Sequence, residues 1–116
     1  MAFYFGNKLK LNIEDKDYTI DVSDNQIIKA VQDITNQSIE MTKKGTATQE
    51  DVLEFIENNK VFITKVLGQD ALSDLFKDKL IAYDDIGELV CYILDEIGKF
   101  KNNRISKYST APSNLN

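Results

Sequence analysis

Nineteen carboxylates, fourteen basic side chains, one cysteine and no histidine are what this 116-residue chain has for chemistry. The missing histidine removes Ser-His and Cys-His nucleophilic pairs and the usual zinc sets, because the commonest near-neutral base and metal ligand is absent. A carboxylate-only site would need two acids converging on one point. Here the acids are spread along the outward faces of helical repeats, which predicts solvated faces rather than an acid/base pair. No catalytic, cofactor-binding or metal-ligating residue is assigned.

Two local patterns imitate sites and fail on particular residues. Asp15-Lys16-Asp17-Tyr18-Thr19 offers oxygen ligands at alternate positions, as the start of a calcium loop does. However, Ile20 stands where that loop needs glycine, and Gln26 where it needs a bidentate glutamate, so the segment reads as a hairpin turn. Leu67-Gly68-Gln69-Asp70-Ala71-Leu72 resembles the helix start that carries the phosphopantetheine arm of acyl carrier proteins. Ala71 replaces the serine that would be esterified, and Ser73 lies on another helix face. No glycine-rich phosphate loop of either common spacing is present. Cys91, the only cysteine, excludes an intrachain disulfide and reads as a small buried hydrophobe in a reducing compartment.

Charge is unevenly distributed. The ten basic and 19 acidic residues up to Gly98 leave −9, whereas Lys99, Lys101, Arg104 and Lys107 bring +4 with no acid among them. An acidic body argues against general nucleic-acid binding, whose affinity comes largely from phosphate neutralisation. Met1-Ala2-Phe3-Tyr4-Phe5-Gly6 lacks the charged leader and long apolar run of a signal peptide. No segment approaches the roughly 18 apolar residues of a membrane span. The expected location is therefore the cytoplasm.

The elements that would position these side chains follow from periodicity. Leu9, Leu11 and Ile13, then Tyr18, Ile20 and Val22, alternate with polar residues. This predicts a hairpin over 8–22 joined by Glu14-Asp15-Lys16-Asp17. Ser23 or Asp24 can cap a helix whose seam is Ile27, Val31, Ile34, Ser38 and Met41, ending at Lys43-Lys44-Gly45. Thr48 and Asp51 form a variant capping box for a second helix, with Val52, Phe55, Ile56, Asn59, Phe62, Ile63, Val66 and Leu67 on one stripe. Gly68 is expected as a left-handed C-cap and Asp70 as the cap of a short helix carrying Ala71, Leu72, Leu75 and Phe76. After a loop, Asp84 and Asp85 complement the dipole at the start of a last helix. Ile86, Leu89, Val90, Ile93, Leu94, Ile97 and Phe100 make that helix the most regular in the chain. The fold class is α+β, mainly helical with about four helices and an N-terminal β-hairpin. A single domain is expected over 1–105, comprising the hairpin at 8–22 and a helical part at 24–105, followed by a flexible tail at 106–116.

Phe55-Ile56 through Phe62, Leu67-Gly68, Ala71, Leu75-Phe76, and Asp84-Asp85-Ile86 through Phe100 resemble the tail assembly chaperones of long-tailed phages and prophages of Gram-positive bacteria. The hairpin entering a helix at Asp21-Val22-Ser23 fits the same pattern, so the resemblance covers roughly residues 8 to 105. It implies a non-enzymatic, self-associating protein that binds the tape measure protein, helps recruit tail tube subunits and is absent from the finished virion. It also implies a longer product made by ribosomal frameshifting. A structural head-tail connector, or another virion morphogenesis subunit, is the alternative. The role requires exposed apolar surface or an open strand edge. Phe3, Tyr4 and Phe5 either provide such a surface or cap the core of their own subunit. Lys99, Lys101, Arg104 and Lys107 either meet an acidic partner or complement the dipole of their own helix.

Overall fold

In a computed structural model of the chain, the described residues are 2–3, 5–77 and 79–113; of 107–113 the backbone alone is described. The elements run β1 (Lys8–Ile13), β2 (Lys16–Asp21), α1 (Asn25–Lys44), α2 (Gln49–Leu67), α3 (Ala71–Phe76) and α4 (Tyr83–Ser113). The fold is α+β, mainly helical, with four helices and an N-terminal antiparallel hairpin.

The alternation in the first two segments fixes the hairpin register, pairing Leu9 with Ile20 and Leu11 with Tyr18. Leu9, Leu11, Ile20 and Val22 are buried in the core, while Lys8 reaches across to Asp21 at 3.1 Å on the other face. The connection is tighter than the sequence suggests. Glu14 and Asp15 alone make the turn, at φ 49° and 61°, and Lys16 and Asp17 pair into β2. Both turn residues have the positive φ of the mirror-image turns that follow strand twist. Asp tolerates that region better than most side chains, and Asn12 donates to the Asp17 carboxylate at 2.9 Å just beyond the turn.

Of the two candidates, Asp24 is the N-cap of α1, accepting from the Gln26 amide at 2.8 Å. The buried face of α1 is Ile27, Ala30 and Ile34, with Val31 half-buried. The expected seam does not continue past Ile34: Ser38 is exposed, and from Thr35 to Lys44 only Met41 is partly covered. Thr48 and Asp51 form the reciprocal capping box of α2. The Thr48 hydroxyl accepts from the Asp51 amide at 3.1 Å, and the Asp51 carboxylate accepts from the Thr48 amide at 2.9 Å. α2 lies against β2, α1, α3 and α4 and buries Asn59, Phe62, Ile63 and Val66.

Gly68 ends α2 in a different conformation from the one expected. At φ 109° and ψ 165° it is an extended, mirror-image backbone open essentially to glycine alone, not a left-handed helical cap. Asp70 makes no side-chain capping bond. Its backbone is already helical at φ −90° and ψ −6°, whereas a capping side chain needs the extended conformation to fold back over the first turn.

α4 buries Ile86, Val90, Ile93 and Ile97, each worth about 1.5–3 kcal/mol of removed apolar area. It passes Gly98 unbroken and is assigned through Ser113, so the backbone stays helical into the segment expected as a tail. No glycine interrupts the helix after Gly98, and the only proline, Pro112, comes at its end. Residues 114–116 lie outside the described residues. Cys91 is exposed, contrary to its reading as a buried hydrophobe. It follows Val90 by one position, about 100° around the helix from the buried stripe.

Candidate interaction surfaces

Among the described residues, no group of three or more Cys, Asp or Glu side chains could hold a metal ion. No helix there is long and apolar enough to cross a membrane. The carboxylates with perturbed acidity serve as structural ties. Lys44, with the hydroxyl and amide of Thr48, holds Asp51 down to about 2. The hydroxyl and amide of Ser23, with Lys8, hold Asp21 down to about 2. Both shifts move away from the near-neutral range that proton transfer requires. Burial, with the Asp74 charge nearby, pushes the Tyr18 hydroxyl up.

What the surface offers instead is uncovered apolar area beside charge. Phe3 and Phe5 are 78% and 74% exposed and stand edge-to-face, with ring centroids 5.0 Å apart. They therefore do not cap the core of their own subunit. Tyr4 lies outside the described residues. Phe5 lines a groove of about 390 Å³ with Gly6, Lys8, Phe100, Asn103 and Arg104. Arg104 of α4 reaches back to Asn7, its Nη1 donating to Oδ1 at 2.6 Å. This contact brings together two groups of residues from opposite ends of the sequence.

The other basic residues are placed differently. Lys101 is exposed and has no ion pair among the described residues. Lys99 is engaged within α4 by Asp95 at 3.0 Å and by Glu96 at 3.9 Å, and the Asp95 carboxylate raises its pKa. The side chain of Lys107 lies outside the described residues.

Two further surfaces have no counterpart in the sequence reading. A groove of about 550 Å³ opens where the hairpin turn, α3 and the first half of α4 meet. Its apolar lining is Ile13, Leu75, Phe76, Leu89 and Tyr92, and Glu14, Asp85 and Glu88 stand at it with Lys79 as the one cation among the described lining residues. The acids Asp85 and Glu88, with Leu89 and Tyr92, mark one helix face at spacings of three and four, the signal that could have shown it. A second groove, of about 400 Å³, runs between the outer half of α1 and α4, where Ile39 is 48% exposed opposite Leu94. Its signal is Ile39 lying off the seam of Ile27 and Ile34.

Comparison with protein-family models, with curated proteins and with solved structures finds no match.

Proposed function

We propose that the chain is a non-enzymatic tail assembly chaperone of a long-tailed phage or prophage. It acts in the host cytoplasm, binds the tape measure protein, helps recruit tail tube subunits and is left out of the mature virion. The reading rests on the residue pattern from Phe55 to Phe100. One structural observation supports it: this small domain leaves separate apolar surfaces uncovered, with Phe3 and Phe5 at one place and Ile39 with Leu94 at another. Contiguous exposed apolar surface of this kind marks interaction sites. A protein that must hold both its own copies and a cargo needs more than one such surface.

Co-expression with the tape measure protein encoded beside it tests the proposal. The expected outcome is a soluble complex of the two and loss of tape measure solubility when the chain is omitted. Unchanged tape measure solubility, with no complex on co-purification, would sink it. Purified virions provide the second readout, since a structural connector would be retained in them and a chaperone would not.

A further inference from the structure

We infer that the groove between the hairpin turn, α3 and the first half of α4 is a docking site for a cationic amphipathic helix of another protein. The apolar stripe of that helix lies on Ile13, Phe76 and Leu89, and its lysines or arginines lie between Glu14, Asp85 and Glu88. The floor is held from below: Ile13, Phe76 and Leu89 pack against the core and are only half-buried, while Tyr92 beside them is 40% exposed. Apolar side chains lining a groove of about 550 Å³ are removed from water only when another apolar surface covers them. From Asp85 to Tyr92 the α4 wall rises about 10 Å, or two turns, the distance between anchors at positions i and i+7 of a helical partner. α3 and α4 satisfy their own backbones, so these walls offer side chains rather than a strand edge. A partner lying along them must satisfy its backbone internally, as a helix does.

The rim selects the charge of the partner. Glu14 stands on the hairpin side, and Asp85 and Glu88 on the α4 side. All three are exposed, and none makes an ion pair among the described residues. Lys79 is the one cation among the described lining residues, so acids are in excess on both sides of the floor. The chain carries −9 up to Gly98, which gives its wider field the same sign as the rim and draws a cationic segment toward it. An anionic helix would be repelled from both walls, and a neutral one would gain nothing from them. A basic segment without an apolar stripe would leave the floor in water. Floor and rim together therefore admit a helix that is apolar on one face and cationic on its flanks.

Fluorescence anisotropy of the full chain with labelled synthetic peptides tests this. The probe is a helix of about four turns with leucines at positions one, four, five and eight of its stripe and lysines on the flanks. It should bind, and two relatives should bind many-fold more weakly: one with glutamate for every lysine, and one with serine for every leucine. Glu14→Gln/Glu88→Gln, at exposed positions, should weaken the leucine-lysine peptide several-fold, as should Tyr92→Ser, with unchanged far-UV circular dichroism. Glu40→Gln/Glu54→Gln removes the same charge from the groove between α1 and α2 and should leave the affinity unchanged. A wild-type chain that does not bind the peptide overturns the inference, and so does equal binding of the glutamate or serine relative. Equal weakening by the two charge variants would mean diffuse attraction and also overturns it. If Glu14→Gln/Glu88→Gln instead changed the sedimentation mass of the chain and left peptide affinity alone, a second copy would be the occupant and the inference would fall. The inference does not rest on the proposed function: a chain that ignored the peptide and still solubilised the tape measure protein would remove this docking site and leave the chaperone reading standing.

Discussion

Lys44, in the last turn of α1, donates to the Asp51 carboxylate in the first turn of α2 at 2.8 Å. That carboxylate is also the returning half of the Thr48 capping box, so one acid closes the α1–α2 corner and starts the next helix. Thr48→Ala removes the hydroxyl acceptor without touching the ion pair. It should cost about 1 kcal/mol in chemical denaturation, the usual loss for an N-cap of this type.

Acid should loosen the same corner. Asp51 and Asp21 both fall from 3.8 to about 2 on folding, so the folded chain holds their charged forms more firmly than the unfolded chain does. Their contribution is complete above about 4 and disappears as pH drops through about 2. Urea midpoints measured across that window should fall with pH in the native chain. They should fall less steeply in Asp51→Asn, and a slope unchanged by the substitution would contradict the assignment.

Two glycines should respond to alanine with opposite signs. A Cβ at Gly98 enters open space within a continuous helix, so Gly98→Ala should stabilise by about 1 kcal/mol through helix propensity alone. A Cβ at Gly68 also meets nothing, yet its φ of 109° is strained for any L side chain. Gly68→Ala should cost about 1–3 kcal/mol. Paired thermal melts read both.

Asn59 is 1% exposed on the buried face of α2, and its side-chain amide nitrogen has no hydrogen-bond partner among the described residues. An unpaired buried donor costs about 1–3 kcal/mol. Asn59→Leu, close in shape and without the donor, should therefore raise the denaturation midpoint. A lower midpoint would mean that the amide is satisfied.

The Arg104–Asn7 bond ties α4 to the side chain of the residue ahead of β1, whose backbone carbonyl accepts from the Val22 amide at 3.0 Å. Arg104→Ala should speed hydrogen exchange at the Val22 amide while leaving Ile93 and Ile97 protected. Equal loosening of all three would show that the tie is global rather than local.

The parts that could be read from the residues are those where the signal is local. Alternation at Leu9, Leu11 and Ile20, the Thr48–Asp51 box and the three-four spacing from Ile86 to Ile97 each involve neighbours along one element, and each appears as expected. The misread features depend on what lies opposite. Periodicity marks Ser38 and Met41 as one face of α1, but cannot reveal that beyond Ile34 this face leaves Ser38 exposed and Met41 only partly covered. Asp70 has the right residue type for a cap, but the turn after Gly68 sets its backbone in the wrong region. The surfaces depend on the third dimension most of all. Glu14 and Asp85 are far apart in sequence, as are Phe5 and Arg104, and only the antiparallel course of β1 and α4 brings each pair to one groove.

Because α2 touches β2 and every other helix, the chain has no seam along which it divides into two stable parts. A cut in the exposed 45–47 connection, which precedes α2, would therefore leave two fragments that each lack half of a common core. Neither should hold its structure alone, and on mixing they should regain it by fragment complementation. The Lys44–Asp51 contact, its residues then on separate chains, would become an intermolecular clasp, and the small domain a split reporter.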